Sequence, residues 1–373
     1  MSDFDQIDFR KQLRYFFSSI EWPYIVEASQ MGDSDVIIHN YDRNIVEYLE
    51  ISVPYMLMYE RVNMKDNIFY LNVASEQEFS CYSMPYSELH VPERSQHFHD
   101  FYEFTIVLSG TLQLHVEDTV KTYHAGDMCF CNRRIRHREL YEGDCELILL
   151  MITHEMLLRI LKKDVSYFRG QKPETYSHLF RDIITSSSFL KKKVYYDFTA
   201  KSPEATAIND ISACVLFILY ALKKHGPGTS YLIKGRICEL LAIFDHDRSY
   251  QISQHQLPAN EREELFFEIS TVFHETHGLI SNAALVERLS YNSEYMNRVI
   301  KRHAGMTLTD YRRSFVLREA ARLLADTNQS VAEISEALGY SNRTFFNRIF
   351  AEKYNMTPSE YRIRIAQMAA QND

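Results

Sequence analysis

The chain reads as an α+β, multidomain protein. It has a β-rich N-terminal part that closes as a small barrel or sandwich, a helical middle, and an all-α C-terminal part. Three observations predict this. Between 104 and 152, apolar residues recur every second position in short runs separated by turn residues, the period of strands. From about 261 onward the period lengthens to that of helices, with polar caps at regular stations. The third observation is an internal repeat. Asn297-Arg298-Val299-Ile300 returns as Asn347-Arg348-Ile349-Phe350, and Met306-Thr307-Leu308-Thr309-Asp310-Tyr311-Arg312 as Met356-Thr357-Pro358-Ser359-Glu360-Tyr361-Arg362, both at an offset of 50. Leu289-Ser290-Tyr291 returns as Leu338-Gly339-Tyr340 at an offset of 49, so the second copy carries one extra residue in its turn.

Composition bounds the answer. At 373 residues there is room for two or three domains with ordinary cores. The 46% hydrophobic content, with only 11 Gly and 9 Pro, describes a folded chain. Residues 1–10 are acidic and polar rather than a secretory leader, and the longest apolar run, 211–222, is shorter than the ~20 residues that span a bilayer. The six cysteines are scattered with no Cys-x-x-Cys pair, which points to reduced thiols. A cytoplasmic location is expected. The net charge of −9 looks wrong for a polyanion binder until it is divided. Residues 288–364 hold 13 Lys and Arg against 8 Asp and Glu, whereas 1–261 hold 27 against 36. A basic module on an acidic body is what local phosphate contact requires.

Along the chain, 10–20 has helical spacing, while 55–59 and 68–73 look like strands. The alternating run 104–116 is expected to turn at Ser109-Gly110. Gly126-Asp127 leads into a strand at 128–131, and 147–152 is a further apolar strand. We assign 1–154 to a sensor domain and 155–260 to a helical linker or dimerisation region, with breaks near 170–173, 202–203 and 226–228. Residues 261–373 form the third domain. In it, Ser281-Asn282 and Asn292-Ser293 start two short helices around 281–304, and Thr307 opens a linker helix over about 307–325. The pattern then recurs over about 330–354. Each copy is a helix–turn–helix.

A helix that reads DNA needs polar groups for base edges and cations for phosphates. The first copy offers Ser293, Glu294, Asn297, Arg298, Lys301 and Arg302, and the second Asn342, Arg343, Thr344, Asn347 and Arg348. Arg reads guanine and Asn adenine through paired hydrogen bonds, although Arg298 and Arg348 are equally suited to phosphate. Residues 265–365 resemble the AraC/XylS family of bacterial transcription regulators. The carrying residues are Leu289-Ser290-Tyr291 through Arg298, Gly305-Met306-Thr307, Leu338-Gly339-Tyr340-Ser341, Phe346 to Phe350, and Thr357-Pro358-Ser359-Glu360-Tyr361-Arg362. The resemblance implies two helix–turn–helix subdomains on one linker helix, entering successive major-groove segments of promoter DNA. Asn355 stands where the family usually has Gly, and Glu294 is an unusual acid in the first reading helix.

The second pattern is His97-Phe98-His99-Asp100-Phe101-Tyr102-Glu103, followed after six residues by Gly110. On a strand, His97 and His99 share a face, and Glu103 joins them if the strand is unbroken. His137, eleven residues past Gly126, supplies a fourth group. Three imidazoles and a carboxylate suit a divalent transition metal, though no cofactor is required. The spacing resembles the cupin superfamily, with departures at Val91, Asn132 and Arg134. His97, His99, Glu103 and His137 therefore bind a metal, contact a small-molecule effector, or form a polar network inside the barrel. Nearby Arg133, Arg134, Arg136 and Arg138 are expected to pair with acids such as Glu139 and Glu142.

The sequence is read as a non-enzymatic, effector-responsive transcription regulator. Its expected partners are double-stranded promoter DNA, a small-molecule effector such as a sugar, a second copy of itself, and RNA polymerase if it activates. No catalytic residues are assigned. The alternative is a metal-dependent cupin enzyme fused to a DNA-binding domain.

Overall fold

The computed structural model describes residues 7–19, 36–40, 46–51, 53–75, 79–89, 96–99, 101–161, 178–186, 192–201, 206–224, 226, 228–245, 249–258 and 261–363. Val91 and the breaks expected near 170–173 and 202–203 lie outside them. The chain divides into two compact units, the main boundary falling at 258/259 and residues 39–43 grouping with the second. Among the described residues, no helix is long and apolar enough to cross a membrane.

The N-terminal unit starts with α1 (Phe9–Ser19) and continues through β1 (Val36–Asn40), β2 (Val46–Ile51), β3 (Tyr55–Asn63), β4 (Ile68–Ala74), β5 (Phe79–Pro85), α2 (Tyr86–Leu89) and β6 (Gln96–His99). Then come β7 (Tyr102–Val116), β8 (Thr119–His124), β9 (Met128–Cys131), β10 (His137–Ile152), α3 (His154–Leu161) and α4 (His178–Thr185). It ends with β11 (Lys193–Ala200), α5 (Thr206–Lys224), α6 (Thr229–Phe244) and β12 (Tyr250–Leu257). β10 is the hub. It pairs antiparallel with β7 from end to end and with β3 over Cys145–Ile152, and its first residue, His137, also meets His97 of β6. β9 lies between β7 and β11, and β12 closes beside β11.

The period of two sorts the core. Tyr102, Phe104, Ile106 and Leu108 of β7 pack under the helices, in a cluster with Phe180, Val215, Leu219 and Leu240. The other face, Val107, Leu112, Leu114 and Val116, joins Met56, Met58, Leu147 and Leu149 inside the barrel. The inward positions are odd-numbered before 109 and even-numbered after it. A bulge causes this flip, because the pairing with β10 slips between Leu147↔Val107 and Glu146↔Ser109. The turn expected at Ser109-Gly110 is therefore a bulge within a continuous strand. Gly110 has φ +75°, and a Cβ there would run into Asp144 O.

The region expected to be helical, 155–260, contains two strands of this sheet, β11 and β12. Their disguise is physical. Lys193, Tyr195 and Asp197 lie on one face of β11 and Val194, Tyr196 and Phe198 on the other, and all six are buried. A strand covered on both faces loses its alternation, and Lys193 and Asp197 break the apolar run that would replace it.

The C-terminal unit is all helix: α7 (Glu261–Thr276), α8 (Asn282–Leu289), α9 (Ser293–Ala304), α10 (Leu308–Asp326), α11 (Val331–Ala337), α12 (Arg343–Tyr354) and a helical segment at 358–363. α10 ties the copies together. Its first half carries Tyr311 and Phe315, whose rings pack on Phe273 of α7. Its second half carries Val316, Leu317, Ala320 and Leu324 into a cluster with Ile334, Phe346, Ile349 and Phe350.

The sequence repeat is a geometric repeat. Asn292 caps α9 by accepting from Tyr295 N at 2.8 Å, and Asn342 caps α12 by accepting from Phe345 N at 3.0 Å. Both helices end on a left-handed residue, Gly305 at φ 65° and Asn355 at φ 52°. Asn does what Gly does there because its short polar side chain tolerates that conformation. The turns also match through left-handed Ser290 and Gly339.

Candidate functional site

The reading faces follow from packing. In α9, Met296, Val299 and Ile300 are buried, leaving Glu294, Arg298, Lys301 and Arg302 exposed, with Ser293 half-buried. In α12, Phe346, Ile349 and Phe350 are buried, leaving Arg343, Thr344 and Arg348 exposed. Several predicted readers are already committed within the chain. Asn342 spends its side-chain oxygen on the cap of α12. Asn297 Oδ1 accepts from Leu308 N at 2.9 Å at the start of α10. Arg298 donates to Glu294 at 3.2 Å, and Arg348 lies 3.9 Å from Glu352. Both pairs are exposed, so water and salt leave them weak and available to phosphate. The side chains of Arg343 and Lys301 make no hydrogen bond or ion pair among the described residues.

Inside the barrel, His97, His99, Glu103 and His137 converge, each presenting one ligand atom within 4.8 Å of the others. His97 and His99 lie on β6, Glu103 on the next strand, β7, and His137 at the start of β10. His99 Nδ1 donates to Phe101 O at 2.8 Å and His137 Nδ1 to Ile135 O at 3.3 Å. Both Nε2 atoms therefore face the Glu103 carboxylate, at 3.6 Å from His99 and 3.0 Å from His137. Thr105 also donates to Glu103 Oε1 at 3.0 Å. The sequence reading missed Thr105, although its place two residues along the same strand puts it on Glu103's face.

Burial pushes the His99 imidazole down to about 4. Burial acts on His137 too, but the charge and hydrogen bond of Glu103 outweigh it and raise that group to about 9. Glu103 is held well below the usual carboxylate range, burial being overcome by the charge of His137. A neutral His99 with its proton on Nδ1 aims a buried lone pair at a carboxylate, and that Nε2 has no hydrogen-bond partner among the described residues. A cation between them satisfies both groups, and the Nδ1–carbonyl bonds are the support that metal-binding imidazoles receive. The donor set fits a divalent metal. Arg136 pairs with an acid, Glu117, at 3.3 Å.

A paired helix–turn–helix joined to a cupin-like barrel is the class that these two sites define. A helix-turn-helix domain model matches residues 285–364 and a cupin domain model matches residues 87–153. The regulatory protein SoxS of Escherichia coli K12 is 32% identical over 81 residues, covering 22% of this chain and 76% of SoxS. The chain belongs to the AraC/XylS family of transcription regulators. The transcriptional activator RhaR of Mannheimia succiniciproducens is 38% identical over 69 residues, 18% of this chain and 25% of RhaR. This chain thus spans a quarter of that relative. The uncharacterized regulator YobQ of Bacillus subtilis is 23% identical over 288 residues, 77% of this chain and 95% of YobQ. The crystal structure of ToxT from Vibrio cholerae O395 aligns at a TM-score of 0.31 and 12% identity, covering 84% of this chain and 98% of ToxT.

Proposed function

We propose that this chain is an effector-responsive transcription regulator whose C-terminal unit binds two successive major-groove segments of promoter DNA. The observation that carries the reading is the duplicated, identically capped helix pair at each end of α10, with cations on the outward faces of α9 and α12. Those cations suit phosphate, and Arg343 at the start of α12 suits a guanine edge. Replacing Arg343 by Ala is expected to cost roughly tenfold in promoter affinity at one base pair. Unchanged protection of the promoter by the variant would sink the assignment. An effector in the barrel acts by binding one arrangement of the DNA-binding regions better than another. Self-association adds affinity by raising effective concentration.

The His99 lone pair favours a second element of the proposal, a resident divalent cation held by His97, His99, Glu103 and His137. Such a cation would offer an effector oxygen a Lewis-acidic contact. Elemental analysis of protein purified without chelator is expected to find about one metal per chain, and His137→Ala protein little or none. Metal-free wild-type protein that still responds to effector would leave the four residues as a polar network. It would also remove the enzyme alternative.

A further inference from the structure

Asn297 and Asn347 occupy equivalent positions, each eleven residues ahead of the residue that follows a threonine cap. Thr307 caps α10 by accepting from Asp310 N at 3.1 Å, and Thr357 caps the 358–363 segment by accepting from Glu360 N at 3.3 Å. The residue after each cap is buried, Leu308 in the first copy and Pro358 in the second. Leu308 has a backbone N–H, which Asn297 Oδ1 accepts at 2.9 Å. Pro358 has none. Asn347 Oδ1 is accordingly buried with no hydrogen-bond partner among the described residues.

We propose that Asn347 is the base-reading amide of the second unit and that Pro358 is the positioning residue that frees it. The inference rests on the DNA-binding reading above and names which of two equivalent amides does the reading. Swinging Asn297 toward a groove would strand the N–H of the buried Leu308 at the start of α10. Swinging Asn347 strands nothing, and it removes a buried acceptor that has no donor. Asn347 lies one turn beyond Arg343, at the margin of the buried face that Phe346, Ile349 and Phe350 form and next to the exposed Thr344 and Arg348. A rotation about χ1 carries its carboxamide outward, where adenine N6 and N7 take both of its polar atoms. Pro358 keeps the apolar slot filled, as Leu308 does in the first copy. The proline thus acts on recognition without touching DNA.

The test uses the full chain and duplexes selected from a randomised library. Affinities are then measured at fixed salt for the selected consensus and its single-base-pair variants. Asn347→Ala and the isosteric Asn347→Asp are each expected to lose roughly tenfold discrimination at one A·T pair, next to the pair lost with Arg343→Ala. Asn297→Ala leaves every base preference in place. Pro358→Ala restores an N–H that recaptures Asn347, so it weakens discrimination at that same pair, and it has no further effect there in an Asn347→Ala background. Base preferences unchanged in Asn347→Ala would overturn the proposal. So would an equal effect of Pro358→Ala with and without Asn347. If the wild-type chain selects no sequence at all, the DNA-binding reading itself fails.

Discussion

The two helix–turn–helix copies share caps, turns and core, yet their reading helices open with opposite charge. In α9 the acid comes first, Glu294, and the cations last, Lys301 and Arg302. In α12 a cation comes first, Arg343, and the last turn holds Glu352 beside Lys353. The difference shows that a duplicated fold can divide labour through residues its packing leaves unconstrained. The N-terminal end of such a helix is the end that reaches base edges. On the proposed DNA-binding reading, Arg343 suits the second copy to base edges, and Lys301 and Arg302 suit the first to phosphate. The buried faces differ little, because Met296, Val299 and Ile300 answer Phe346, Ile349 and Phe350.

The comparison breaks most completely by emptying one core. Phe350 is fully buried among Ile334, Phe346 and Tyr361. Phe350→Ala should cost about 3–5 kcal/mol, removing the second reader while α7 to α9 stay folded. Denaturant melts followed by amide exchange check this, and loss of protection across both copies would contradict it. A smaller effect separates the two asparagines. Asn297→Ala removes the acceptor of Leu308 N and is expected to destabilise the unit by about 1 kcal/mol. Asn347→Ala, which loses no such bond, should stay within about 0.5 kcal/mol of wild type in the same melt. The smallest effect concerns Glu294. Glu294→Ala releases Arg298 from its intrahelical pair, so the first copy gains a phosphate contact. The slope of log affinity against log salt should steepen by about 0.9. A salt titration with an unchanged slope would show that Arg298 does not reach the backbone.

Much of this was legible beforehand because local chemistry decided it. The caps at Asn292, Thr307 and Asn342 are side-chain oxygens meeting amides three residues on, a distance the chain sets by itself. The convergence of His97, His99, Glu103 and His137 was readable from spacing, although the placement of Glu103 on the next strand was not. Other features misled because their causes are remote in sequence. Ser109-Gly110 has turn chemistry, but β10 continues to pair across it and makes it a bulge. Lys193 lies on a strand because Glu117 takes its ammonium at 2.9 Å, a partner 76 residues away.

By itself the sequence determined the repeat, the helix boundaries and the surplus of cations near the C-terminus, since periodicity, capping and charge act over a few residues. Only the tertiary structure decided which polar groups remain available. Asn297 and Asn347 are the same amide in the same motif, and what separates them is whether a backbone eleven residues further along the chain still carries a proton to donate. Hydrogen-bond satisfaction belongs to the folded environment, so spacing alone does not assign it.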